Sequence, residues 1–139
     1  MKTVCIIGAG PSGISAAKNC QQNGIAFDLY EKNNKVGGNW VFNSATQHSS
    51  VYENTHIISS KTMSEFEDYP MPDDYPDYPR HDHLQQYFEN YSKHFGVYDQ
   101  IKFHHTIDHI EKNSQGVWSI DFTDAQGEKH NKVYDYLMV

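Results

Sequence analysis

The sequence predicts an α/β fold built on a parallel sheet, and three features carry that prediction. A short apolar run at residues 2–7, KTVCII, ends in the glycine-punctuated stretch GAGPSG. A segment with helical spacing follows, and a second apolar run, AFDLYEK, begins at Ala26. Strand, tight turn, helix and strand within about thirty residues make one βαβ unit, which closes with right-handed parallel topology. The third feature is the final YDYLMV, a continuous apolar run of the kind that forms a buried parallel strand.

In chain order, residues 2–7 read as a short buried strand bounded by glycine, and Gly8 to Gly13 as the turn. A helix is expected from about Pro11 to Gln22, with Ile14 and Ala17 inward and Gly24 as its stop. Residues 69–79, YPMPDDYPDYP, hold four prolines, too many for a regular element, and predict a stiff, polyproline-like connector over the surface. Asp82 is placed to cap a second helix running to about Phe95. Leu84, Phe88, Tyr91 and Phe95 share one face of it, and Gly96 ends it. IKFHHTIDHI, GVWSIDF and EKHNKVY then read as strands, the last two joined by a hairpin turn at DAQGE. Trp118, Ile120 and Phe122 alternate with Ser119, Asp121 and Thr123, so that strand covers a core on one side only.

A chain of 139 residues is about one domain and long enough to bury a core. The formal charge is −7 and the eleven Lys and Arg are scattered, which argues against nucleic acid or an anionic membrane as partner. No apolar stretch approaches the roughly 20 residues that span a bilayer. The N-terminal apolar run is broken too early by Gly and Pro to be a signal peptide. Cys5 and Cys20 form no CxxC and no disulfide framework, so a reducing, cytoplasmic setting is expected. The pairs His81/His83 and His104/His105 have no cysteine or carboxylate set around them, and no metal site is expected.

GAGPSG matches GxGxxG, follows a strand, opens a helix, and has Glu31 eighteen residues after Gly13. Gly8 permits the tight turn, Gly10 lets a pyrophosphate approach the backbone, and Gly13 lets helix and strand pack closely. Glu31, ending the second strand, can accept hydrogen bonds from adenosine ribose hydroxyls and repels a 2′-phosphate. FAD and NAD both suit such a fold. The following GGNWVFNS has no cysteine and so excludes dithiol chemistry there. Its paired glycines let the chain pass close to a cofactor, with Trp40 either a planar wall for it or an ordinary core aromatic.

At this point the chain resembles the N-terminal part of a flavin-containing monooxygenase, of the class B flavoprotein monooxygenases. The resembling stretches are GAGPSG, YEK, GGNW, HSSVYEN, SSKTMSEFEDYPMPDDYP, KHFG and IKFHHTIDHI, which cover essentially the whole chain in the family's order. The resemblance implies a Rossmann-type FAD-binding domain over residues 1–139 with a small β insertion. It puts Gly8, Ala9, Gly10, Pro11, Ser12 and Gly13 along the pyrophosphate, Glu31 on the ribose and Asn33 nearby. Asn39 and Trp40 fall at the flavin half, His48 also reaches FAD, and Ile107 meets the adenine.

In the implied reaction NADPH reduces FAD, O2 adds at flavin C4a, and the distal oxygen passes to a soft nucleophile such as an amine or sulfide. No residue here is identified as a catalytic acid, base or nucleophile. Many relatives have an asparagine where Ile58 stands, three residues before Lys61, and isoleucine cannot hydrogen-bond an oxygenated flavin. The second glycine fingerprint for NADPH is absent from these residues, so the chain reads as an incomplete domain, expected to show no NADPH-driven turnover alone. The other readings are a Baeyer–Villiger oxygenase and a non-catalytic dinucleotide-binding module. Small-molecule substrate and O2 are the expected partners, with self-association possible.

Overall fold

The βαβ unit forms as its pattern requires. In the computed structural model, which describes residues 1–47 and 51–139, β1 (Thr3–Ile7), α1 (Pro11–Gln22) and β2 (Ala26–Tyr30) follow one another. The two strands pair in parallel, Thr3 opposite Ala26 and Ile7 opposite Tyr30. A long irregular stretch follows, with a 3-10 turn at Gly38–Trp40 and the one-turn α2 (Lys61–Ser64), before α3 (His81–His94). β3 (Ile101–Lys102) then joins the open side of β2. β4 (Thr106–Lys112), β5 (Trp118–Thr123) and β6 (Lys129–Tyr134) form a separate antiparallel sheet, and β7 (Tyr136–Met138) returns to the first sheet beside β1. The strand orders are β3-β2-β1-β7 and β4-β5-β6.

Both long helices end by the same device. Gly24 and Gly96 sit at φ +66 and +70. Ile25 N–H reaches back to the Cys20 carbonyl at 2.9 Å, and Val97 N–H to the Ser92 carbonyl at 2.8 Å. These are Schellman closures, in which the left-handed residue satisfies carbonyls that the last turn would leave open. α1 buries Ile14, Ala17 and Cys20, while α3 buries Leu84, Tyr87, Phe88 and Tyr91. Together with Val4, Ile6 and Leu29 they form the main core.

A second core lies where the two sheets meet, built from Cys5, Tyr30, Ile120, Phe122 and Tyr134. Asp28 is set into its margin. Its carboxylate accepts hydrogen bonds from Lys102, from Lys132 at 2.6 Å and from the Tyr134 hydroxyl at 2.6 Å. With the Tyr134 proton committed to Asp28, the Tyr30 hydroxyl donates to Tyr134 at 2.7 Å. Burial pulls the Asp28 carboxyl upward, but the bonds from Lys102, Lys132 and Tyr134 outweigh it and hold the group at about 2. A depressed carboxyl stabilises the fold above its unfolded value and loses that stabilisation as pH falls through the folded one. Stability is therefore expected to drop by about 2 kcal/mol between about pH 4 and pH 2 through this group. Urea unfolding across that window should show the drop in the parent chain and a flattened slope in Asp28→Asn.

Three local expectations are corrected. α3 starts at His81 with Arg80 as its N-cap residue, and Asp82 lies inside the first turn. There Asp82 is held by two N–H groups of Arg80, at 2.9 and 2.6 Å, an acid well placed against the helix dipole. IKFHHTIDHI is two strands, β3 and β4, broken by His104 at φ +57. The break arises because His104 and His105 donate their N–H groups to the carbonyls of Asn33 and Glu31, which turns the chain out of the first sheet.

The proline segment runs irregularly over the surface, as expected of a stiff connector, and is anchored at a few points. Met71 and Pro79 are buried, Tyr69 and Tyr75 pack on the main core, and Lys61 Nζ grips the Asp73 and Tyr75 carbonyls at 2.8 Å each. Finally, β7 is parallel as expected but is an edge strand rather than a buried one, with Tyr136, Met138 and Val139 exposed.

Candidate cofactor site

The end of β1 and the end of β2 are tied together before any side chain is considered. Gly8, at φ +96, donates its N–H to the Tyr30 carbonyl at 2.7 Å. Glu31 follows at once and is 5% exposed. Its Oε2 accepts the Ala9 N–H at 2.7 Å and its Oε1 the Asn33 N–H at 2.8 Å. A buried carboxylate needs such donors, and these bind the glycine turn to the loop after β2. Each oxygen still has a second lone pair, so the acid can also accept from a ligand hydroxyl. Asn33, 7% exposed, accepts at Oδ1 from the N–H and hydroxyl of Thr46, at 3.2 and 2.9 Å.

The paired glycines close the floor. Gly37 donates to the Ala9 carbonyl at 3.0 Å, and a Cβ on Gly38 would stand 3.1 Å from the Gly10 Cα. On either side of this Gly10–Gly38 ridge lies a hollow. One, of about 490 Å³, is walled by Glu31, Asn33, His105 and Ile107. The other, of about 470 Å³, is walled by Pro11, Ser12, Gly13, Trp40 and Val139 and opens at the N-terminus of α1. Gly8, Gly10, Gly38 and Asn39 border both.

The three fingerprint glycines have three different reasons to be glycine. Gly8 has a positive φ. A Cβ on Gly13 would meet the Gly8 carbonyl oxygen at 1.8 Å, so the helix could not pack on the turn. Gly10 has neither constraint. Its φ is −76 and an added Cβ would find nothing nearer than the Gly38 Cα at 3.5 Å. The protein itself does not require glycine there, whereas a ligand crossing the ridge does. The donor set fits a dinucleotide: helix N–H groups for phosphates, a buried acid for ribose, and two hollows for the ends.

The structure thus brings Gly8, Gly10, Pro11, Ser12, Gly13, Glu31, Asn33, Asn39, Trp40 and Ile107 around one divided cleft. Ala9 is fully buried and contributes only through its backbone. Trp40 packs partly against the main core and also lines the second hollow. His48 lies outside the described residues. Ile58 is fully exposed. Tyr30, Lys32, His105 and Thr106 also line the first hollow and were missed. Their adjacency to Glu31 and Ile107 was the available signal.

Of the histidines weighed as ligands, His81 Nε2 pairs with the Glu53 carbonyl at 3.0 Å and its ring lies against Phe42. Among the described residues, Asp124, Glu128 and His130 are the group close enough to share an ion. Asp124 already binds the Gln126 and Glu128 N–H groups and His130 Nε2, as a hairpin turn requires.

Comparison with known proteins agrees with this geometry. Residues 1–139 match the Flavin-binding monooxygenase-like family. Flavin-containing monooxygenase 5 of Cavia porcellus is 34% identical over 144 residues, covering 99% of this chain and 27% of its own length. The chain therefore spans about a quarter of the length of that relative. Among solved structures, S-allyl-L-cysteine S-oxygenase from Allium sativum superposes with a TM-score of 0.88 at 21% identity, over 98% of this chain and 35% of that one. Cyclohexanone monooxygenase does so with a TM-score of 0.78 at 19% identity, over 99% and 26%. At those identities the structures speak for the shared α/β fold. The match along the whole sequence says more: this chain belongs to the flavin-binding monooxygenase-like family.

Proposed function

We propose that the chain is the FAD-binding part of an NADPH- and O2-dependent monooxygenase that oxygenates soft nucleophiles such as amines and sulfides. The observation that carries this reading is Gly10, a glycine that only a ligand demands, set between two hollows at a helix N-terminus. Glu31 and Asn33 would hold the ribose, Ile107 the adenine, Gly10 and Ser12 the pyrophosphate, and Asn39 and Trp40 the flavin half. FAD supplies the redox and oxygen chemistry when bound. The residues of this chain bind it, orient it and wall it from water. The relatives' greater length leaves room for the NADPH site in the rest of such a protein.

If Trp40 walls the flavin half, Trp40→Ala should raise the FAD Kd about ten-fold, while the flavin-free protein loses less, in free energy, than that factor represents. FAD titration beside urea unfolding measures both. A loss of stability with FAD affinity unchanged would make Trp40 a core aromatic only. For the reaction itself, product analysis on the full-length protein decides. Sulfoxide or N-oxide supports the reading, and ester from a ketone without heteroatom oxidation refutes it.

A further inference from the structure

His105 is held in a way that the packing of the cleft does not by itself require. Its N–H donates to the Glu31 carbonyl at 3.0 Å, which fixes its backbone to the end of β2. Its ring packs against the contacting pair Tyr30 and Phe122, with centroids 5.8 and 5.9 Å away. Nδ1 lies 2.7 Å from the Phe103 carbonyl oxygen. A carbonyl can only accept, so Nδ1 carries the proton. In the neutral ring Nε2 is then an acceptor alone. It has no hydrogen-bond partner among the described residues and is not sealed from solvent. The residue lines the first hollow alongside Glu31, Asn33 and Ile107.

We propose that His105 selects the base of the bound dinucleotide, its Nε2 accepting a hydrogen bond from the exocyclic amine of adenine. This rests on the reading of the first hollow as an adenosine pocket. Adenine presents an N–H donor at that position, whereas hypoxanthine and guanine present a carbonyl oxygen, which would set lone pair against lone pair. A tautomer locked by the backbone makes the choice rigid, because the ring cannot turn its N–H toward the ligand without giving up Phe103. β4 is the edge strand of its sheet, so backbone groups near Thr106 and Ile107 also face away from β5. They can meet N1 of the base, an acceptor in adenine that carries a proton in hypoxanthine, and the His105 variants separate that contribution from the side chain's.

The test compares ADP with inosine diphosphate, whose base carries a carbonyl oxygen in place of the exocyclic amine and a proton on N1, by calorimetric titration of the 139-residue chain. The parent should bind ADP roughly ten-fold more tightly. His105→Asn keeps a donor for the Phe103 carbonyl but cannot reach where Nε2 stands, and should lower that ratio toward one. His105→Gln extends an acceptor to the same place and should restore part of it. A merely structural histidine would weaken both nucleotides together and leave the ratio unchanged, which would overturn the proposal. Binding of ADP with an unaltered ratio in His105→Asn refutes the role of His105 alone. Failure of the parent to bind ADP refutes the adenosine pocket as well.

Discussion

Gly13→Ala is expected to cost more than about 3 kcal/mol of stability, or to prevent folding. The added methyl would stand 1.8 Å from the Gly8 carbonyl oxygen, and that neighbour is backbone. It cannot swing aside as a side chain could. Relief needs α1 to lift from the turn, which would separate Ile14 and Ala17 from the main core and pull Ala9 from Glu31. Urea unfolding measures the effect directly. A variant as stable as its parent to within about 0.5 kcal/mol would show that turn and helix are not packed as described.

The second large effect falls on binding and leaves the fold alone. Gly10→Val should weaken FAD binding by more than about a hundred-fold, equivalent to about 3 kcal/mol. Its thermal midpoint should stay within a few degrees of the parent. Gly10 is extended, at φ −76, a conformation valine adopts readily, and its Cβ would meet Gly38 at ordinary contact distance. The branched methyls would project over the ridge that the two hollows share. Gly10→Val and Gly13→Ala thus separate two roles that one fingerprint conceals. The first substitution touches ligand and the second touches fold. A Gly10→Val protein that unfolds, or that keeps FAD, contradicts this division.

The parts of the molecule legible from sequence are those set by local chemistry. The βαβ unit follows from apolar periodicity and glycine placement. Glu31 follows from its distance past the fingerprint, and the helix stops at Gly24 and Gly96 from the need for a left-handed residue. What was not legible depends on partners distant in sequence. Asp28 looks like one more polar residue in a strand until Lys102, Lys132 and Tyr134 arrive from 74 to 106 positions away.

The break in IKFHHTIDHI is likewise set from outside, by carbonyls of Glu31 and Asn33 that no propensity of the segment announces. The proline segment reads as surface because its composition is polar and stiff, yet Lys61 and the aromatic face of α3 bind it down. His105 was weighed only as a possible metal ligand, since a histidine pair suggests ions before it suggests a base. Its meaning depends on a tautomer set by Phe103.

A crystal structure of the chain with FAD bound tests the central claim most directly. It should show the pyrophosphate across Gly10 at the N-terminus of α1, the ribose on Glu31, and the adenine in the hollow of His105 and Ile107, with the flavin toward Trp40. FAD lying elsewhere, or reversed so that the flavin fills the Glu31 hollow, would contradict it.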